Sequence, residues 1–348
     1  MWTKFEALPN YFGGKRKLIK DIFKHVKKKE GVFIDAFLGG GSVSLWAKAK
    51  GYKVICNDIA ERSYIVGKAL IENSRAKITD EDLARLFIPA KHKNFIKKNY
   101  VPKVFLNQTA EFLDNAFAIV KHGFIEGSAK QYLMLLLLLK FIQKTRPFSK
   151  FTHTRYNLAL LEENYELAFT SLAKGQLSKS LIRSNMAILQ HPLIHLLEIK
   201  NVINRGVFEN QQENEVHKRD IFDFLHRVSG DVVYFDPPYP GASAYENEYH
   251  VLDCILAEKI IPKDISVFSK ADAKIFLEKM FESARHIPQW IVSLGQTHPD
   301  EGVKPHELLK MVRKWRRAEV EMVEHRWAIN NVSGRPQNDN IEYIVYTL

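Results

Sequence analysis

Val32-Phe33-Ile34-Asp35-Ala36-Phe37-Leu38-Gly39-Gly40-Gly41-Ser42 is the stretch that decides the fold. Val32 to Phe37 reads as a buried strand, apolar apart from one carboxylate. Gly39, Gly40 and Gly41 break it, and Ser42 stands where an N-cap would open a helix over Val43 to Lys50. Tyr52-Lys53-Val54-Ile55-Cys56 then reads as a second strand, ending at Asn57-Asp58. Strand, glycine turn, helix and strand form the unit of a parallel α/β sheet.

Beyond about residue 61 this alternation stops. Helical patterns run over Ala110 to Val120, Ala129 to Gln143 and Leu158 to Leu172. Between the last two lies a basic, aromatic, loop-like stretch from Lys144 to Asn157. The α/β pattern returns with the strand Asp231 to Phe235, stopped by Asp236-Pro237-Pro238-Tyr239. A helix over Ala271 to Arg285, a strand over Trp290 to Leu294 and a helix over Lys304 to Arg317 follow. Glu319 to Ile329 and Ile341 to Leu348 read as closing strands, an antiparallel hairpin on the sheet edge. The chain therefore divides into a catalytic sheet domain, 1–60 with 216–348, and a mainly helical insert, 61–215.

The net charge of +11, from 51 Lys and Arg against 40 Asp and Glu, favours a polyanionic partner. The two cysteines, Cys56 and Cys254, form neither a metal-type cluster nor a disulfide framework. His191 and His195 have the i, i+4 spacing of a helical metal pair but lack a third ligand, so no metal is expected. The N-terminal residues lack the apolar core of a signal peptide. The longest apolar run, Leu133 to Leu139, is far short of the roughly 20 residues a membrane span needs, and reads as a buried helix. These features predict a cytoplasmic protein without a membrane partner, whose basic excess faces nucleic acid.

Two constellations carry chemistry. The glycine turn allows close approach of a ligand to the backbone, and Asp58 lies at the tip of the next strand, where a carboxylate can accept from ribose hydroxyls. Phe-x-Gly-x-Gly is not the dinucleotide fingerprint and no Walker-type loop is present, so a nucleoside without a phosphate tail suits the turn better. A tight turn beside an exposed acid would also account for these residues. Asp236-Pro237-Pro238-Tyr239 lies at the carboxyl end of a strand, where open α/β sheets bind ligands. Asp236 and the Pro237 carbonyl would be two acceptors aimed at the protons of a planar amine, favouring its nucleophilic form as a bond begins to form. Tyr239 offers a flat face to an unstacked base.

In this order the motifs resemble those of the Dam-like DNA adenine-N6 methyltransferases. The resemblance implies a class I, Rossmann-like methyltransferase sheet with a target-recognition insert, and S-adenosyl-L-methionine as methyl donor. It implies in-line transfer to the N6 of an adenine flipped out of double-stranded DNA, without a metal or a covalent intermediate. It assigns donor contacts to Tyr11, Lys15, Asp35, Phe37, Gly39, Gly41, Asp58, Asp220 and Asp236, and catalysis to Asp236, Pro237 and Tyr239. Arg155-Tyr156-Asn157 is similar to a stretch of the family's recognition domain. Ala36 stands where the family commonly has proline, and Tyr11 where it can have tryptophan. DNA contacts are expected from Lys93, Lys97 and Lys98, in an acid-free segment with Phe95 and Tyr100 interleaved, and from Arg146, Arg155 and Asn157. A chain with one recognition insert can act as a monomer, and a restriction endonuclease partner is compatible with it. The residues leave open an RNA adenine or DNA cytosine-N4 substrate, and a DNA-binding protein with an inactive core.

Overall fold

Among the described residues, seven strands follow in chain order: β1 (Val32–Asp35), β2 (Lys53–Asn57), β3 (Glu215–His217), β4 (Val232–Phe235), β5 (Gln289–Gly295), β6 (Ala318–His325) and β7 (Asn340–Thr347). They form one sheet in the order β3-β2-β1-β4-β5-β7-β6. β1 to β5 are parallel, with Ile34 opposite both Ile55 and Val233. β7 runs against both β5 and β6. The expected class I methyltransferase sheet, with its antiparallel hairpin, is the sheet observed. The computed structural model describes residues 2–11, 13–145, 190–238, 245–263, 266–270, 272–295, 303–325 and 340–348.

Contacts divide the chain into two units. The sheet unit comprises Tyr11–Gly67, Glu209–Asn247 and Lys263–Leu348. Its central strands are almost continuously buried because helices cover both faces. On one face, Phe281 of the helix Ala273–Ser283 stacks on Trp290 at 5.6 Å and meets Phe235 edge-on at 5.9 Å. The Trp290 Nε1–H donates to the Ala284 and Ile287 carbonyls, so this large side chain is buried with its polar atom satisfied. On the other face, Phe23 of the helix Ile19–Lys24 stacks on Phe33 at 5.2 Å.

Several boundaries differ from the sequence reading, each for a local reason. β1 stops at Asp35, where the chain turns towards the glycines. Ser42 is the first residue of the helix Ser42–Ala49 rather than its cap. Gly41 takes the cap position at φ +79°, donating its N–H to the Leu38 carbonyl at 2.8 Å. Cap rules read side-chain type, whereas this helix starts on a left-handed backbone that favours glycine. The short strand β3 and the helix Ile221–Arg227 were not expected from sequence; Asp220 caps that helix by accepting from the Phe222 N–H at 2.9 Å. The helix expected over Lys304 to Arg317 ends at Arg313.

The helical unit comprises Met1–Asn10, Lys68–Phe208 and Glu248–Pro262. The sequence division placed the first and last of these with the sheet. They count with the helices through contacts such as Lys140 Nζ on the Glu6 and Leu8 carbonyls and Lys121 with Glu258. The helices Asn107–Gly123, Ala129–Thr145 and Pro192–Gly206 bury Leu113, Phe117, Leu133, Leu137, Phe141, Leu196 and Ile203. The run that includes Leu133 and Leu139 is thus the buried helix expected. His191 is an N-cap, its ring nitrogen accepting from the Leu193 N–H, and His195 is buried. Leu158 to Leu172 lies outside the described residues. Among the described residues no helix is long and apolar enough to cross a membrane.

Candidate active site

The chain leaves β1 for β2 and β3 on one side and returns through β4 to β5 on the other, so strand order reverses between β1 and β4. Crevices at such reversal points, beyond the carboxyl ends of the strands, are where open α/β sheets bind ligands. A cavity of about 570 Å³ lies there within the sheet unit. Asp35 and Phe37 to Gly40 after β1, Asn57 to Ala60 after β2, Arg219 to Ile221 after β3, and Tyr234, Asp236 and Pro238 at the end of β4 all line it. Tyr11, Lys15, Arg62, Phe268 and Lys270 also line it. Of the sequence-predicted residues, Tyr11, Lys15, Asp35, Phe37, Gly39, Asp58, Asp220 and Asp236 are brought together here.

Gly41 and Pro237 do not line the cavity, where Gly40 and Pro238 do. Gly41 serves the helix start described above. Tyr239, Arg146, Arg155 and Asn157 lie outside the described residues. In the helical unit, Lys93 and Lys98 are exposed, while Lys97 is half-buried and pairs with Glu111.

The glycines have a second purpose that sequence did not suggest. A Cβ on Gly39 would sit 3.0 Å from Tyr11 Cε1, and one on Gly40 only 2.6 Å from Tyr11 Cβ. The turn is therefore bare partly to receive the Tyr11 ring, which is held beside the cavity.

Three carboxylates at the strand ends have three different environments. Asp58 Oδ2 accepts from the Gly39 N–H at 2.8 Å and Oδ1 from the Ala60 N–H at 2.9 Å, which fixes its plane. Burial raises its pKa while these backbone donors oppose the rise. Asp35 is 1% exposed. Its Oδ2 accepts from Ser44 Oγ at 2.7 Å, and its buried Oδ1 has no hydrogen-bond partner among the described residues. Burial pushes the Asp35 carboxyl up to about 7, with Ser44 opposing and the charge of Asp236 adding to the rise. Asp236 Oδ1 lies 2.9 Å from Lys15 Nζ.

That ammonium is almost fully buried and also contacts Glu342 Oε1 at 3.3 Å and the Gly13 carbonyl at 3.1 Å. Burial alone would lower the Lys15 pKa, but Asp236 and Glu342 outweigh it and hold it above the ordinary value. Lys15 is thus directed at protein carboxylates. Glu342 was not singled out from sequence, although a lone acid inside the apolar run Ile341-Glu342-Tyr343-Ile344-Val345 was a usable signal. Among the described residues the cavity wall carries four carboxylates, Asp35, Asp58, Asp220 and Asp236, and four cations, Lys15, Arg62, Arg219 and Lys270, and one carboxylate oxygen, Oδ1 of Asp35, is left to accept from a ligand.

A family model described as D12 class N6 adenine-specific DNA methyltransferase matches residues 11–263. The Type II methyltransferase M2.HphI of Haemophilus parahaemolyticus is 26% identical over 340 residues, 97% of this chain and 96% of that protein. The Type II methyltransferase M.NlaIII of Neisseria lactamica is 26% identical over 263 residues, 73% of this chain and 71% of that one. The Type II methyltransferase M.FokI of Planomicrobium okeanokoites is 27% identical over 261 residues, 70% of this chain but 36% of that longer protein.

Proposed function

From the premise that this chain belongs to the D12 class of N6 adenine-specific DNA methyltransferases, we propose that its methyl donor is S-adenosylmethionine, held in the cavity beyond β1 and β4 and used beside Asp236. The protein methylates adenine at specific sites in DNA. The observation that supports the donor best is the buried Oδ1 of Asp35, without a hydrogen-bond partner among the described residues, at the wall of this cavity. A buried carboxylate oxygen without a donor is costly, and a ligand ammonium would relieve that cost.

S-adenosylmethionine supplies an electrophilic methyl group on a sulfonium, with an ammonium and a ribose beside it. Asp35 Oδ1 accepts from the ammonium. Asp58, already oriented by two backbone N–H groups, has acceptor capacity left for the ribose hydroxyls. Phe37 and the Tyr11 ring wall the cavity and exclude water. Asp236 and the Pro237 carbonyl accept from the two protons of the target amine, which draws its lone pair out of conjugation as the N–C bond forms. Tyr239, next but two in the chain, stacks on a base flipped out of the duplex.

Catalysis falls to the sheet unit and DNA target recognition to the helical unit, with Lys93, Lys97, Lys98, Arg146, Arg155 and Asn157 as DNA contacts. The reading extends to a monomer in the cytoplasm whose methylation protects sites from a restriction endonuclease. Relatives named Type II methyltransferases and modification methylases support that setting.

The test is transfer from tritiated S-adenosylmethionine to mixed-sequence duplex DNA, followed by nucleoside analysis. Label is expected in N6-methyldeoxyadenosine, and Asp236→Ala should keep DNA affinity while abolishing transfer. Undiminished turnover in that variant removes Asp236 from the mechanism. Donor binding unaffected by loss of Asp35 removes the donor assignment.

A further inference from the structure

Glu342 has no exposed surface, is the one charged residue of β7, and stands opposite Gly295 of β5, which has no side chain to fill that place. A charge buried this deeply survives only with a partner. Glu342 Oε1 lies 3.3 Å from the ammonium of Lys15, the same ammonium that lies 2.9 Å from Asp236. We infer that Glu342 is a positioning residue for methyl transfer: it shares the charge of Lys15, so that Asp236 is anchored by the lysine without being neutralised by it. The inference rests on the role proposed above for Asp236.

The argument is one of charge balance. Lys15 and Asp236 alone would form a neutral pair, in which a cation at 2.9 Å weakens the carboxylate as an acceptor. Glu342 gives the three groups a net charge of minus one. Asp35 from β1 and Tyr234 on its own strand also act on Asp236, both as acids, and Asp58, Asp220, Arg62, Arg219 and Lys270 line the same cavity. During transfer the N6–methyl bond forms, the electrons of the methyl–sulfur bond pass to sulfur, and N6 becomes positive before losing one proton. An acceptor that stays anionic stabilises that charge and passes the proton to water. The raised pKa of Lys15, which survives burial because two carboxylates flank it, agrees with a shared cation.

The test measures DNA methylation kinetics against pH for Glu342→Gln, Lys15→Met, the double variant and Asp236→Ala, with thermal melts of each. Glu342→Gln should lower kcat about ten-fold and move the acid limb of the kcat profile down by about one pH unit, with KM for donor and DNA little changed. Lys15→Met should move that limb up, and the double variant should return it near the wild-type position. A role in folding alone would move none of them. An acid limb unmoved or raised in Glu342→Gln overturns the inference, as does a loss of kcat fully matched by a rise in KM. If Glu342→Gln does not fold, Glu342→Asp decides: it keeps the charge, so its limb should stay in place, and a displaced limb overturns the inference. Activity in Asp236→Ala overturns the reading of the site itself. An inactive Asp236→Ala with an unmoved limb in Glu342→Gln overturns the inference alone.

Discussion

Asp35→Asn should make the free protein more stable and weaken its binding of the donor. In the folded chain the Asp35 carboxyl is pushed from its ordinary value of 3.8 to about 7, first by burial. The folded state therefore holds a proton that the unfolded state has lost throughout that window. Stability falls as pH rises from 3.8 towards 7 and then levels off. Three units at roughly 1.4 kcal/mol each put the cost of the ionised form at about 4 kcal/mol above pH 7. Near about pH 5 the cost is roughly 2 kcal/mol, and it vanishes as the pH approaches the unfolded value. Asparagine carries no charge, and its Oδ1 can still accept the Ser44 hydrogen bond. The variant should gain on the order of 2–4 kcal/mol above pH 7, a gain that shrinks steadily as the pH is lowered. Losing a charged partner for the donor ammonium should weaken donor binding by about 1.5–3 kcal/mol, roughly ten- to a hundred-fold. Urea unfolding at several pH values gives the first number and titration calorimetry with S-adenosylmethionine the second. A variant no more stable than the parent at high pH, or a difference that ignores pH, refutes the reasoning.

Gly40→Ala should cost about 1–3 kcal/mol, because the new Cβ would sit 2.6 Å from Tyr11 Cβ and displace the ring. A melting temperature and a donor Kd both unchanged would show that the turn has room to spare. Lys93→Ala and Lys98→Ala should each reduce the slope of log K against log salt for duplex binding by about one, and Lys97→Ala by less, because Glu111 already offsets its charge. Salt titrations by anisotropy check this, and equal slopes throughout would remove the segment from the DNA contacts. Asp231→Ala should cost on the order of 1–2 kcal/mol at neutral pH, since Asp231 accepts from the Val32 N–H and from Lys28, both at 2.7 Å. Lys28, then the Val32 N–H, hold its carboxyl below the ordinary range, so the contribution is present above the unfolded pKa and lost as pH falls through the folded one. A pH-independent cost would argue for packing instead.

The parallel sheet was legible because β1, β2 and β4 are almost continuously buried, and apolar runs of strand length that end in turn or polar residues have few other uses. The acids at their ends were legible for the same reason: parallel pairing of the strands brings Asp35, Asp58 and Asp236 to one rim. What distinguishes the three was not legible. Asp58 is oriented by the backbone of neighbouring turns, Asp35 keeps one oxygen unpartnered, and Asp236 meets a lysine more than 200 residues away in the chain. Each difference is tertiary, set by what arrives from elsewhere, and so is the burial that raises one carboxyl to about 7. The glycines make the same point. Their bareness was visible and was read as room for a ligand, whereas the atoms nearest the missing Cβ of Gly39 and Gly40 belong to Tyr11. Glu342 was overlooked because its strand has no motif, yet a carboxylate amid Ile341, Tyr343, Ile344 and Val345 had to find a cation or lose its charge. Local pattern thus locates the chemistry of this chain, and the long-range pairing of charges decides what each carboxylate there can do.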